Sequence, residues 1–271
     1  MLSVKLNDDR ELPILGLGTW KLQGQTCLDI VRAALDSGYR HIDTAYRYNN
    51  HEMIAKAIDR SDVNREDVYL TTKIWRDELE PAALKQQFIQ ILTELNTDYV
   101  DLLLVHWPNR EIPIAQTYQA MKELQDQGMA VSLGVSNFTI THLKEAMDVG
   151  FTPAVNQVEF HPSLYQKELW DFCKQHSIQL EAYSPLAQGE DIDHEIVQSI
   201  ADKYGVTPAQ ITIAWLINKG IIAIPRSSKV EHVKENLAAL DIVMSSEHIN
   251  ALDGLGEGNR LIEPPFAEFD T

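Results

Sequence analysis

Four side chains able to move a proton fall just beyond short apolar runs of this chain: Asp43, Tyr48, Lys73 and His106. A phenol has an ordinary pKa of about 10, too high to protonate a carbonyl oxygen readily near neutrality. A neighbouring ammonium such as that of Lys73 favours the phenolate and so strengthens the acid. Asp43, paired with Lys73, keeps the ammonium charged and aimed, while His106 orients a substrate oxygen or helps deliver the proton. The expected chemistry is acid catalysis coupled to charge stabilisation, with Tyr48 as donor. Each residue alone has a plainer reading: a strand-end Asp caps the next helix, and a Lys or His after a strand is solvated or packed. Their joint occurrence carries the inference.

Such a grouping needs elements that bring one end of several strands together. Eight strand candidates occur at 15–18, 40–42, 68–72, 100–105, 131–135, 154–158, 179–183 and 221–224. They belong to a recurring unit of about thirty residues, strand then turn then amphipathic helix, the pattern of βαβ units. One helix is predicted from about Gln25 to Ser37, ending at Gly38. Pro81 opens another, whose apolar face is Leu84, Phe88, Ile91, Leu92 and Leu95. Thr207-Pro208-Ala209-Gln210 reads as a capping-box start with proline at the first helical position. Eight such units favour an α/β fold of the (β/α)8 TIM-barrel type over an open sheet. A β-hairpin across Asn7-Asp8-Asp9 is expected before the barrel, and a short Gly/Pro-rich C-terminal loop after Leu252. No long polar linker interrupts the chain, so residues 1–271 are expected to form a single domain.

Active sites of such barrels lie at the C-terminal strand ends. Those positions read Asp43, Lys73, His106-Trp107-Pro108, Ser136-Asn137, Gln157, Tyr183-Ser184 and Arg226-Ser227-Ser228. Composition bounds what they can do. A hydrophobic fraction of 44% sustains a sizeable core. No run of eighteen apolar residues is present to span a membrane. A formal charge of −17 argues against nucleic acid or an anionic membrane as partner. Cys27 and Cys173 are the only cysteines and form no CxxC, so a disulfide framework is not expected and a reducing cytoplasm is. The first ten residues lack the features of a signal peptide, and Asn137-Phe138-Thr139 is then a chance sequon. Gly16-Leu17-Gly18 lacks the third glycine of a Rossmann fingerprint and reads as a tight barrel-mouth turn. There is no P-loop, HExxH or nucleophile elbow, and metal ligation by His106 and His161 is not expected.

The segments Gly38-Tyr39-Arg40-His41-Ile42-Asp43-Thr44-Ala45, Val105-His106-Trp107-Pro108, Gly134-Val135-Ser136-Asn137-Phe138 and Ile224-Pro225-Arg226-Ser227 resemble the aldo-keto reductase superfamily. The likeness covers essentially the whole chain. Within it the sequence is similar to the bacterial 2,5-diketo-D-gluconate reductases of the B type, which also reduce methylglyoxal. Leu70-Thr71-Thr72-Lys73-Ile74-Trp75 and Gly258-Asn259-Arg260-Leu261-Ile262 carry this narrower resemblance. It implies a tetrad of Asp43, Tyr48, Lys73 and His106, with Tyr48 as general acid, and NADPH extended across the barrel mouth. The nicotinamide would stack on Tyr183, its carboxamide held by Ser136, Asn137 and Gln157, and the pyrophosphate near Ser184 and Leu186. The 2′-phosphate would meet Arg226, Ser227 and Ser228, with His232 and Asn236 near the adenine. Thr19 and Trp20 would add cofactor contacts, and Trp20, Trp75 and Trp107 with His106 would wall a pocket for small carbonyl compounds.

Two positions depart from the family pattern. Asn50 is followed by His51, with Glu52 one place later, which reads as an outer-shell change at a helix start. His232 stands where many relatives carry an arginine, and histidine is a weaker anion partner near neutrality; NADPH is expected over NADH, with reduced discrimination. The expected function is NADPH-dependent reduction of aldehydes and α-dicarbonyls, including methylglyoxal and keto sugars like 2,5-diketo-D-gluconate. The alternative, an NADP(H)-binding regulatory or structural protein on a reductase barrel, needs no working tetrad, and all four residue types are present. A phosphate-sugar isomerase would need a glycine-rich phosphate site after strands seven and eight. The short stretch after His106 and the short tail predict an open, broadly specific site, and the family resemblance predicts a monomer.

Overall fold

The computed structural model describes residues 2–256 and 258–269. Its first element is an antiparallel hairpin, β1 (Ser3–Lys5) with β2 (Glu11–Pro13), in register Val4↔Leu12. Asp9 takes a left-handed φ of 69° in the turn, a conformation that Asp tolerates better than most side chains. Leu6 and Leu12 are buried, so the hairpin is fastened by its apolar face.

Eight parallel strands follow: β3 (Leu17–Gly18), β4 (His41–Asp43), β5 (Tyr69–Ile74), β6 (Val100–Val105), β7 (Ala130–Ser136), β8 (Val155–Glu159), β9 (Gln179–Tyr183) and β10 (Ile222–Ala223). Each pairs with the next in sequence. The sheet closes on itself through the bridge Leu15↔Ala223, with Gly16 N donating to Ala223 O at 2.9 Å and Gly18 N to Pro225 O at 3.0 Å. This is the (β/α)8 barrel the sequence predicts. Closure demands glycine at Gly18, where a Cβ would stand 2.7 Å from the Ile224 carbonyl.

Among the described residues ten α-helices surround the strands: α1 (Gly24–Ser37), α2 (His51–Asp59), α3 (Pro81–Leu95), α4 (Ile114–Asp126), α5 (Ile140–Asp148), α6 (Lys167–Gln175), α7 (Glu195–Tyr204), α8 (Pro208–Asn218), α9 (Val230–Leu237) and α10 (Ser246–Asp253). α1 ends as predicted, at Gly38 with φ 109°, and α3 buries the predicted Leu84, Phe88, Ile91, Leu92 and Leu95. Thr207 and Gln210 form the predicted capping box. Strict strand–helix alternation fails at two places, since α7 precedes α8 between β9 and β10, and α10 follows α9.

Side chains alternate between lumen and helix layer along each strand. Register places Asp43 beside Gly18, Ser136 beside Gln157, and Gln157 beside Glu181. Polar residues therefore occupy much of the lumen, buried to within a few per cent of complete at His41, Asp43, Lys73, Gln157 and Glu181. Outside it, the apolar faces of the helices and the other strand face form one continuous core.

Candidate active site

β4 and β5 carry Asp43 and Lys73 to the same end of the lumen. Lys73 Nζ donates to Asp43 Oδ1 at 2.8 Å, Asp43 Oδ2 at 2.7 Å and the Thr44 carbonyl at 2.9 Å. An ammonium has three donors, so these short contacts hold it in place and it acts on Tyr48 as a charge at longer range. Tyr48 Oη lies 3.5 Å from the same Nζ, which sits 5.0 Å from the phenol ring centroid.

A single 3-10 turn, Tyr46–Tyr48, presents Tyr48 and ends at Asn49 in the left-handed region. Asn50 fixes that turn to the barrel. Its Nδ2 donates to the carbonyls of Thr19 at 3.0 Å and Leu22 at 3.2 Å, and its Oδ1 accepts from Thr44 Oγ1 at 2.7 Å. Nothing in the local sequence marks this role, because the two carbonyls lie 31 and 28 residues upstream.

His106 follows β6 and meets Tyr48 edge-on, ring centroids 5.8 Å apart. Burial, and then the charges of Lys73 and Arg47, push its pKa well below the ordinary histidine value. The ring is therefore neutral, and a neutral imidazole offers one N–H and one acceptor.

The predicted effect of Lys73 on Tyr48 needs correction. Burial, followed by the Asp43 and Glu181 carboxyls, raises the phenol well above its ordinary pKa. Lys73 does not prevail because its charge is matched by Asp43 at contact distance, while Glu181 adds a second carboxyl. Glu181 is a lumen residue that no sequence motif marks. Gln157 Nε2 donates to Asp43 Oδ2 at 2.8 Å and to Glu181 Oε1 at 3.2 Å, joining the two. Burial and the Asp43 charge lift Glu181 to about 8, with Lys73 and Gln157 opposing.

A cavity of about 820 Å³ opens over this group, a volume suited to a cofactor with a small ligand. Tyr48, Asp43, His106, Trp20, Trp75, Trp107, Ser136, Asn137, Gln157, Tyr183, Ser184, Leu186 and Arg226 all line it. Tyr183 Oη donates to Asn137 Oδ1 at 2.8 Å, and Asn137 Nδ2 donates to the His106 carbonyl at 2.9 Å and Ser136 Oγ at 3.0 Å. Asn137 and Ser184 hold left-handed φ values of 63° and 48°. Such backbone is costly for non-glycine residues and gathers at functional sites. Gln157 spends both amide hydrogens inward, which leaves its Oε1 as an acceptor. That disposition fits a primary carboxamide, which needs an acceptor for its N–H as well as donors for its oxygen.

Other predicted contacts lie elsewhere. Thr19 is fully buried, its hydroxyl donating to the Asp43 carbonyl at 2.8 Å, and it does not line the cavity. Ser227 Oγ is engaged within its own turn, with Lys229 O at 3.1 Å and Lys229 N at 3.0 Å. Ser228 and His232 are exposed and Asn236 is buried; none of the three lines the cavity. His51 starts α2 and packs outside the lumen in the helix layer, buried, with Nδ1 2.9 Å from Glu94 Oε2 and Nε2 3.3 Å from Thr72 Oγ1.

The tail also differs from the expected open end. Residues 261–264 and Phe266 line the cavity. Phe266 packs edge-on against Trp75 at 5.7 Å and Trp107 at 5.5 Å. Arg110, from the stretch after His106, pairs with tail residue Glu268 at 2.7 Å. The short tail thus builds one wall of the pocket. Lys21 and Arg47 complete the mouth, each with its cation over an indole, at 4.1 Å from Trp20 and 4.4 Å from Trp75.

Comparison with known proteins agrees with this geometry. The aldo/keto reductase family pattern matches residues 14–190 and 193–257. The methylglyoxal reductase DkgA of Escherichia coli K12 is 38% identical over 266 residues, covering 97% of this chain and 96% of that protein. The glyoxal reductase of Bacillus subtilis is 40% identical over 261 residues, covering 96% and 94%. The crystal structure of MGS-M4, an aldo-keto reductase from a deep-sea metagenome library, superposes with a TM-score of 0.95 at 37% identity, covering 99% of this chain and all of that one. The aldose reductase of Schistosoma japonicum superposes with a TM-score of 0.92 at 28% identity, covering 97% and 94%. Barrel, site and relatives agree, and the chain belongs to the aldo/keto reductase family as an oxidoreductase acting on carbonyl groups.

Proposed function

We propose that this protein reduces aldehydes and α-dicarbonyls, methylglyoxal among them, using NADPH and Tyr48 as proton donor. The observation that carries the proposal is the 3.5 Å approach of Tyr48 Oη to Lys73 Nζ, with Tyr48 on the wall of the aromatic cavity. Members of the family generally use NADP(H), which when bound supplies a hydride to the carbonyl carbon. The carbonyl oxygen then gains negative charge, and a proton passes to it from Tyr48 Oη. Tyr48 begins that step protonated, since its pKa is raised. Lys73 stabilises the phenolate left behind, and Asp43 holds Lys73 in place. His106, neutral by burial, donates its N–H to the oxygen and orients it.

Tyr183 offers a ring face for the nicotinamide, with Ser136, Asn137 and Gln157 for its carboxamide and Ser184 and Leu186 beside the pyrophosphate. Arg226, exposed on the cavity wall, supplies the cation for a 2′-phosphate. His232 in place of arginine leaves discrimination against NADH weak. The relatives named for methylglyoxal and glyoxal support small α-dicarbonyls as substrates, and Trp20, Trp75 and Trp107 suit their apolar parts. Lys21 and Arg47 at the mouth extend the range to keto sugars that bear a carboxylate, such as 2,5-diketo-D-gluconate. The test is NADPH absorbance loss across methylglyoxal, aromatic aldehydes and keto sugars. Turnover of methylglyoxal is expected; no NADPH consumption with any carbonyl would remove the proposal.

A further inference from the structure

The cavity is flanked by two irregular segments from distant parts of the chain. One is the loop after β9, which contributes Leu186, Gln188 and Gly189; the other is the tail, which contributes Leu261, Ile262 and Phe266. Among the described residues, the loop after β9 has only the local backbone hydrogen bonds of two 3-10 turns, Ala187–Gly189 and Asp191–Asp193, so side chains must fasten both segments to the barrel. The need is acute after β9, where Ser184, Ala187 and Gln188 all take left-handed φ without being glycine.

Both segments are fastened to one buried chain of three side chains. Glu159, the last residue of β8, is fully buried. Its Oε1 accepts from Leu261 N at 2.8 Å and its Oε2 from Ile262 N at 2.9 Å. His161 Nε2 lies 3.0 Å from Glu159 Oε1; its Nδ1 hydrogen-bonds with Ser163 Oγ at 2.9 Å and lies 3.4 Å from Asp191 Oδ2, in the loop after β9. Ser163 reinforces the joint: its N donates to Asp191 Oδ2 at 3.4 Å and its carbonyl accepts from Asn259 N at 3.2 Å. Burial opposes charge on His161, but the Asp191 and Glu159 carboxylates outweigh it and raise the imidazole above its ordinary pKa. A buried carboxylate costs free energy unless it is paired and hydrogen-bonded, and here the compensating partners of Glu159 are two backbone N–H groups of the tail and the His161 imidazole.

We infer that Glu159 is the positioning residue for the substrate-side wall, and that His161 couples this wall to the Asp191 loop on the cofactor side. Order imposed on one wall is thereby transmitted to the other. This rests on the reading of the cavity as a carbonyl reductase site.

Glu159→Gln keeps the shape but turns one acceptor into an N–H facing a backbone N–H. KM for a bulky aromatic aldehyde is expected to rise about tenfold, while kcat and the methylglyoxal KM stay within about threefold, because only wall contacts are lost. Calorimetric titration of NADP+ supplies a readout apart from turnover. Asp191→Asn is expected to weaken NADP+ binding about fivefold, and Glu159→Gln/Asp191→Asn to weaken it by clearly less than the product of the single effects, since both cut one chain. If Glu159→Gln does not fold, His161→Asn serves: it leaves both backbone contacts to Glu159 and cuts the link, so NADP+ binding weakens and the aldehyde KM rises by less than the roughly tenfold expected of Glu159→Gln. Equal KM rises for large and small substrates, or single effects on NADP+ that multiply independently, would overturn the inference. Failure of the wild type to consume NADPH would instead remove the functional reading, leaving the titrations to judge the coupling.

Discussion

The lumen group and the segment from Arg226 to Asn236 are built in opposite ways. Around Lys73 the side chains are almost fully buried and the ammonium is held by Asp43 and Thr44. Around Arg226 the polar groups are exposed, as at Ser228 and His232, or occupied within their own turn, as at Ser227. The geometry of the proposed proton transfer is thus fixed by the barrel itself, through strand register and a buried ion pair. On the proposed function, recognition of the cofactor at the other end rests on exposed side chains, whose ordering costs conformational entropy. Substitutions should therefore act on chemistry and stability together in the lumen, and on affinity alone near Arg226.

Lys73→Met breaks that comparison most severely. It strands Asp43 in the lumen, so unfolding measurements should show a loss of about 3–5 kcal/mol. The rate constant kcat should fall by about 10³ or more, at the upper part of the range for losing an acid–base group. Retention of both would show that the pair does not organise the site. Asn50→Ala comes next, removing the clamp on the Tyr48 turn: about 1–3 kcal/mol of stability for buried groups left unpaired. A roughly tenfold loss of kcat should accompany it, at little cost in NADPH affinity.

Glu181→Gln probes the lumen through pH. The folded carboxyl titrates at about 8 against an ordinary 4.5. Between those values the folded chain holds a proton that the unfolded chain has released, so stability falls as pH rises through the interval and levels off above it. Thermal unfolding of the wild type should show this decline, and Glu181→Gln should flatten it; an unchanged slope would mean that Glu181 is ionised in the fold.

Changes near Arg226 should be the smallest. Arg226→Ala should raise the NADPH KM about tenfold, the worth of one charged contact, and leave NADH unaffected. His232→Arg should sharpen the NADPH preference only about threefold, as expected for an exposed charge.

The same contrast explains what the sequence made legible. Strand ends located Asp43, Lys73, His106, Ser136, Gln157 and Tyr183, because barrel geometry gathers the C-terminal ends of the strands at one mouth. Glu181 had the parity of Tyr183 two residues on, yet an acidic residue within a strand ordinarily reads as solvent-facing. Asn50 and Glu159 act on backbone groups far along the chain, Thr19 and Leu22 in one case and Leu261 and Ile262 in the other. No local pattern encodes such partners. The tail read as a loop by composition, while its placement against Trp75 and Trp107 depends on those distant anchors. The burial of Tyr48, which together with the Asp43 and Glu181 carboxyls leaves it a weaker acid than its Lys73 neighbour suggests, also needed coordinates.

The central claim, that Tyr48 gives up the proton, is tested most directly by Tyr48→Phe with NADPH titrated by fluorescence and methylglyoxal turnover followed in parallel. The account predicts NADPH affinity within about threefold of wild type, since the lost hydroxyl is not a cofactor anchor, and a fall in kcat of at least about 10³. Near-normal turnover by the folded, NADPH-binding variant would contradict it.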